Sequence, residues 1–536
     1  MALETDDPPL DTPGEPEPAH PEDGGPADRG RAAALPELLG PVWADRRIAI
    51  GAAVALAATW GFVVGRWTPR GPLTTLESLA AMGIGLAVGA VAGLLLRSRW
   101  AILLAPAVFV AAFELTRLGT GGPTVDGLHL STYGVLAFVV GRGFHGLVGV
   151  LPLVLGAALG AGLARRLVPA PSVHGRRRAT RAARRAVTVL TGIVLLGLAA
   201  MIARPVSTAP IRDDAGEAVP GSIAELTTVD AGGKDLALML RGHSTDNPVV
   251  LFLAGGPGGS ELGAMRNHLE GLEETFVVAT WDQRGNGKSY PALDPAPTYT
   301  LQSVVDDTIE ITNYLRERFD QDQIYVLGQS WGSTLGVLAV QEAPELYRGF
   351  IGTGQMVSQL ETDRIFYEDT LAWADETGEG SLADELRSIG PPPYANMLDY
   401  ETTLSHEYEV YPYDHTSNSE GEGGFSENFL VPEYSFTEQV HLLGAFMDSF
   451  AVLYPQLQEI DFRETATEFE VPMFFVQGAH EADGRAEPFD DWFPLVEAPI
   501  TDLTVLDTSG HRPLFEQPDE FVDYMNETVL AQTQPG

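Results

Sequence analysis

Residues 324–336 read Ile-Tyr-Val-Leu-Gly-Gln-Ser-Trp-Gly-Ser-Thr-Leu-Gly, and the fold is decided by how this stretch is read. Ile324–Leu327 is a short apolar run of the kind that forms a buried strand. Ser333-Thr334-Leu335-Gly336 opens a helix. Between them, Gly328-Gln329-Ser330-Trp331-Gly332 fits G-x-S-x-G. The pattern alone is weak in a chain with 58 glycines. Its position between a strand and a helix gives it weight. A sharp strand-to-helix turn pushes the serine into a strained, exposed position, and small neighbours prevent a clash there.

Outward from this turn, the chain alternates short apolar runs with amphipathic stretches. Strands are expected at Leu236–Leu240, Val249–Leu253, Phe276–Trp281, Phe350–Gly352, Pro472–Val476 and Leu503–Leu506, and helices at Leu301–Phe319, Ser333–Glu342 and Pro518–Ala531. Such alternation argues for an α/β fold with a mostly parallel sheet covered on both faces. The rhythm breaks between about Met356 and Glu470, a stretch rich in Tyr and Glu that reads as an inserted helical cap.

A serine hydroxyl needs a base to take its proton as it attacks. With a nucleophile on this kind of turn, the partners follow in the order acid, then histidine. Of the eleven histidines, only His480 and His511 lie beyond the cap at strand ends. His511, just after Leu503–Leu506, is the expected base, and His480 a neighbour of the acid. Glu481 and Asp483 both follow the strand at Pro472–Val476. Either could hold the histidine tautomer, with Glu481 preferred. The oxyanion requires two backbone N–H donors. Trp331 supplies one, and the loop Ala254-Gly255-Gly256-Pro257-Gly258-Gly259 the other, through Gly256 or, failing that, Gly255. No Lys-Ser/Thr pair completes a phosphate-binding pattern around that loop.

Four motifs, Gly255-Gly256-Pro257-Gly258, Asp282-Gln283-Arg284-Gly285-Asn286-Gly287, Gly328-Gln329-Ser330-Trp331-Gly332-Ser333 and Ser509-Gly510-His511, resemble those of the proline iminopeptidase-like α/β-hydrolases. Pro432-Glu433-Tyr434-Ser435 and Val471-Pro472 share the likeness, which spans roughly residues 222–530. Three positions depart from the family pattern: Ala254 stands for the usual His, Glu481 for the usual Asp, and Lys288 where Arg is common. The resemblance implies an α/β-hydrolase fold with a helical cap, catalysis by Ser330, His511 and Glu481 without metal or cofactor, and release of N-terminal residues, often proline, from short peptides. Such an enzyme binds a free α-ammonium through carboxylates, and the cap offers Glu361, Glu368, Glu407, Asp414, Glu427 and Glu433. A carboxylesterase or lipase would use the same residues. A sensor or scaffold that only binds ligand is the reading from another class.

The first 203 residues differ physically from the rest. They hold 18 arginines and 14 carboxylates, whereas the remainder holds 15 basic and 59 acidic residues. So acidic a part is repelled by phosphate backbones, which argues against nucleic-acid binding. The absence of cysteine excludes disulfides, thiolate nucleophiles and Cys-ligated metals. Residues 1–45 are acidic and Pro-rich and read as a disordered tail. Charge-free stretches then run Ile48–Gly65, Ser78–Leu96, Gly143–Ala164 and Ala186–Ala203, each near the roughly 20 residues that cross a hydrocarbon core. Trp100–Thr116 is a weaker fifth, and Gly127–Gly141 reads as re-entrant or interfacial.

The expected organisation is an all-α transmembrane region of about five helices over 46–204 and a linker over 205–221. A hydrolase core over 222–355 and 471–536 then encloses the cap at 356–470. Eight arginines crowd residues 165–185, between the last two spans. The positive-inside rule puts that loop in the cytoplasm and everything after Ala203 outside. Expected partners are membrane lipid and a small or short-peptide substrate.

Overall fold

The computed structural model describes residues 39–167, 177–213, 215–413 and 425–534. Five apolar helices come first: α1 (Arg46–Trp67), α2 (Thr75–Leu96), α3 (Ala101–Thr116), α4 (Thr132–Leu167) and α5 (Arg177–Ile202). All but α3 are long and apolar enough to cross a membrane. They pack through small residues. A Cβ at Gly89 of α2 would sit 2.0 Å from Leu153 O, and one at Gly160 of α4 would sit 1.9 Å from Ala90 O. Glycine at such positions lets two apolar helices touch backbone to backbone, the packing that serves where no hydrophobic drive exists.

Helix α4 corrects one expectation. Gly127–Gly141 is neither re-entrant nor separate, since from Thr132 it runs continuously into the next stretch. At 1.5 Å per residue, its 36 residues extend about 54 Å, well beyond a hydrocarbon core of about 30 Å. Its first turns therefore stand clear of the bundle. Ala137 joins the core of the globular part, and Tyr133 N–H donates to Glu401 at 3.1 Å.

The globular part is an eight-stranded sheet in the order β1-β2-β4-β3-β5-β6-β7-β8. The strands are β1 (Ile223–Ala231), β2 (Lys234–Gly242), β3 (Val249–Leu253), β4 (Val277–Trp281), β5 (Ile324–Gln329), β6 (Tyr347–Thr353), β7 (Met473–Gly478) and β8 (Thr501–Leu506). β1 and β2 pair antiparallel, β2 pairs antiparallel with β4, and the rest of the sheet is parallel. Helix α6 (Leu301–Arg318) crosses between β4 and β5, and α7 (Trp331–Glu342) between β5 and β6. Every residue of β3, β4, β5 and β7 is buried, as expected of strands covered on both faces. From β3 the chain moves outward to β4 and then back past β3 to β5. The crevice between the C-terminal ends of β3 and β5 is therefore a topological switch point, where open α/β sheets bind ligands.

Between β6 and β7 the described chain is helical. Helix α8 (Gln359–Thr377) and helix α9 (Phe436–Leu457) close over the ends of the strands. Helix α9 begins with a full capping box, Ser435 and Glu438 exchanging hydrogen bonds with each other's backbone.

Candidate active site

Ser330 sits at the turn between β5 and α7 with φ +54° and ψ −123°, a conformation that side-chain-bearing residues rarely adopt. The turn closes because its flanks are glycine. A Cβ at Gly328 would meet Gly332 O at 2.3 Å, and one at Gly332 would meet Leu253 O at 1.9 Å. The G-x-S-x-G pattern is thus a packing requirement of the turn.

His511 follows β8, and Glu481 follows β7 ahead of helix α10 (Asp483–Trp492). His511 Nε2 lies 2.9 Å from Ser330 Oγ, and His511 Nδ1 lies 2.7 Å from Glu481 Oε2. A carboxylate can only accept, so Nδ1 carries the proton and Nε2 faces the serine hydroxyl as acceptor. Burial alone would raise the Glu481 carboxyl, but the charges of Arg485 and His511 hold it down at about 2. Arg485 Nε donates to Glu481 Oε1 at 2.7 Å and also pairs with Glu407. Asp483, the alternative acid, is an exposed first residue of α10. His480 stacks on Tyr413 with centroids 6.3 Å apart, and its N–H donates to Ser509 O.

The glycine loop after β3 lies beside Ser330, and Gly255 and Gly256 both line the cavity above it. The Gly255 N–H is turned towards the Glu261 carboxylate and helps hold its charged form. The Asp282–Gly287 motif supports this loop. Gln283 Nε2 donates to Ala254 O at 3.1 Å, Trp331 Nε1 donates to Gln283 Oε1 at 2.9 Å, and Asn286 Nδ2 reaches Gly259 O at 3.3 Å. One glutamine therefore ties together the two segments that flank the serine. Asp282 itself is buried, accepting from Lys288 N–H and Tyr434 Oη.

The cavity over Ser330 measures about 300 Å³. One wall is apolar, with Phe366 from α8 and Phe446, Phe450 and Tyr454 from α9. Three carboxylates reach it: Glu261, Asp363 and Glu407. Glu261 is only 11% exposed, and its desolvation raises the carboxyl above the usual range. Arg512 pairs with it at 3.0 Å, but its Oε2 has no hydrogen-bond partner among the described residues. Burial also pushes Asp363 up to about 6, although Tyr454, Gln359 and Gln458 all donate to it.

Of the cap carboxylates expected to meet an amine, Glu407 alone among the described residues lines the cavity. Glu361 pairs with Arg463, Glu433 with Arg266, and Glu427 with His268, while Glu368 is exposed. Asp414 lies outside the described residues. Glu261, Asp363 and Arg485 were not singled out by the sequence. The available signal for Glu261 was its place directly behind the glycine loop.

Residues 248–387 match the family model described as the α/β-hydrolase fold. Over 308 residues the chain is 27% identical to the probable aminopeptidase YbaC of Bacillus subtilis, covering 57% of this chain and 96% of that protein. It is 33% identical over 132 residues to a probable proline iminopeptidase of Leptolyngbya boryana, covering 25% of this chain and 39% of that one. Among solved structures, a proline iminopeptidase-related protein from Thermus thermophilus is similar, with 21% identity and a TM-score of 0.39. That similarity covers 58% of this chain and 98% of the other. The sheet order, the strained serine turn and the matched domain converge on one conclusion: the globular part has the α/β-hydrolase fold, and the chain is a hydrolytic enzyme.

Proposed function

We propose that the protein is a membrane-anchored aminopeptidase that releases N-terminal residues from short peptides through an acyl-enzyme on Ser330. His511 Nε2 takes the hydroxyl proton as Ser330 Oγ attacks the carbonyl carbon. The N–H groups of Trp331 and Gly256 receive the oxyanion. Trp331 is the first residue of α7, where the N–H has no partner within the helix and the helix dipole favours negative charge. Gly255 is less suited, because its N–H faces Glu261. His511 then gives its proton to the leaving amine, and water enters by the same route to release the acyl group. Glu481, ionised throughout, holds the imidazole and stabilises its charged form.

The observation that carries the peptidase reading is Glu261. It is a carboxylate only 11% exposed in the wall of the cavity, with one buried oxygen that has no partner among the described residues. An α-ammonium group would donate to that oxygen and add a second positive charge beside Arg512. The aromatic wall from Phe446, Phe450 and Tyr454 suits a small apolar first side chain such as the proline ring.

The arginines gathered at the end of α4 and the start of α5 support a cytoplasmic position for that connection, and so an extracytoplasmic hydrolase domain.

Prolyl and alanyl arylamides test the assignment, beside N-acetylated arylamides and nitrophenyl esters. Turnover that needs the free amino group, rises in KM in Glu261→Gln, and falls at least about 10⁴-fold in Ser330→Ala is the expected result. Turnover of esters alone would replace the peptidase with an esterase.

A further inference from the structure

The segment leading into α9 lies against the end of the apolar bundle. Ser207, five residues past the end of α5, donates its N–H to Pro432 O at 3.0 Å. Phe436 and Val440 pack on a cluster that includes Leu195, Leu198 and Ile202 of α5, and the ring of Phe436 lies 6.4 Å from that of Phe144. Leu195 is seven residues inside the end of α5, about 10 Å along its axis. The apolar length of α5, Ala182–Ile202, matches a hydrocarbon core with little to spare. The first turn of α9 is therefore level with the outer carbons of the leaflet on the hydrolase side, and the chain just before it runs along the headgroup boundary.

Two large apolar side chains stand out at that boundary. Asn428 is buried, accepts from Gly263 N–H and Ala264 N–H, and forms part of the cavity wall. Its neighbours Phe429 and Leu430 are both exposed, Phe429 at 37%. Leu430 is 90% exposed and holds φ at +60°, where a leucine is strained. Isolated exposed apolar residues are ordinary on proteins. This one is unusual because its exposure is combined with backbone strain two residues from the Pro432 contact to the α5 exit. In water both features are unfavourable, whereas in lipid the exposure becomes a gain.

We propose that Phe429 and Leu430 form a lip inserted into the leaflet facing the hydrolase domain. Their rigid connection to Asn428 sets one wall of the substrate cavity at the lipid surface. Substrates then enter from that surface, which favours amphiphilic molecules already held there over freely dissolved ones. The lip rests on the reading of the apolar helices as membrane spans, and not on the choice between peptide and ester.

The chain has no cysteine, so a single introduced one reports its own position without background. Leu430→Cys, Leu190→Cys and Val505→Cys would each be made in the full chain, labelled with a nitroxide and reconstituted into phosphatidylcholine/phosphatidylglycerol vesicles. Leu190 is 62% exposed on α5 and marks lipid, and Val505 is 54% exposed on β8 and marks water. Power-saturation measurements with oxygen and with a water-soluble nickel chelate then rank the sites by depth. The expected result is a Leu430 label relaxed more by oxygen than by nickel, between Leu190 and Val505 and on the lipid side. A Leu430 label as open to nickel as that at Val505 overturns the lip. If the Leu190 label also reads as aqueous, the spans themselves are wrong and the lip falls with them, while the arylamide assay on the same preparation still judges the hydrolase reading separately.

Discussion

Glu481 and Asp282 are both buried carboxylates near the serine turn, yet their surroundings push them in opposite directions. Arg485 and His511 keep Glu481 at about 2, whereas burial pushes Asp282 up to about 7 against two hydrogen-bond donors. Glu481 is therefore ionised at every working pH. Glu481→Gln should lower kcat by about 10⁴ with little change in KM, because an amide neither stabilises the imidazolium nor enforces its tautomer. For stability the signs differ. Glu481 titrates below its unfolded value near 4.3, so its contribution is present above that pH and lost as pH falls towards 2. Asp282 titrates above its unfolded value near 3.9, so the folded state binds the extra proton and stability declines as pH climbs from about 4 to about 7. Melting temperature against pH for wild type and Asp282→Asn measures this. The variant should show a shallower decline over that window, the rest coming from other raised carboxyls such as Asp363, and a parallel pair of curves would show that Asp282 contributes nothing to it.

At the scale of elements, the turn between β5 and α7 couples geometry to packing most tightly. Gly332 lets the start of α7 rest on the backbone of β3, and a methyl group there would overlap Leu253 O. Gly332→Ala should cost about 3 kcal/mol in denaturant unfolding and displace Ser330 from His511, so activity falls further than stability. This turn was legible in the sequence because its requirements are local: an apolar strand, small flanks and a helix start within thirteen residues. The strands from Val249 to Leu506 were legible for a similar reason, each being a short apolar run. β1 was not. Its sequence, Ile-Ala-Glu-Leu-Thr-Thr-Val-Asp-Ala, is the half-exposed pattern of an edge strand, and its place is set by pairing with β2. Helix α4 was divided at Arg142, a charge that the folded chain satisfies on the carbonyls of Val125 and Asp126. The same limit applied to the cavity. His511 and Glu481 could be placed by chain order, but Glu261, Asp363 and Arg485 meet only through tertiary packing.

Across the whole molecule, helix α9 faces two ways. Phe446, Phe450 and Tyr454 form the aromatic wall of the cavity. On its other side, Asp448 accepts from Arg70 Nη1 at 2.5 Å, Thr124 Oγ1 at 2.6 Å and Tyr290 Oη at 2.6 Å. Arg70 belongs to the loop between α1 and α2 and also pairs with Asp294, and both it and Asp448 are only 1% exposed. His441 reaches Pro72 O, and Thr437 meets Ser78 of α2. The bundle is therefore part of the support of the cavity wall and not a detachable anchor. Breaking a buried ion pair from one side costs about 3–5 kcal/mol, because the other charge stays buried. Asp448→Ala in the full chain should lose an amount of that order, reduced to the extent that Asp294 still neutralises Arg70. A fragment beginning at Pro205 has no Arg70 and no Thr124, so there Asp448 faces solvent and its removal should change stability by no more than about 0.5 kcal/mol. The fragment itself should melt well below the full chain, since Leu73, Tyr133 and Ala137 no longer complete its core and Phe436 loses its α5 neighbours. Thermal unfolding of four proteins, full chain and fragment with and without Asp448→Ala, separates these effects. Equal losses in both backgrounds would mean that Asp448 stabilises the globular part alone, and that the bundle adds nothing to the support of the cavity wall.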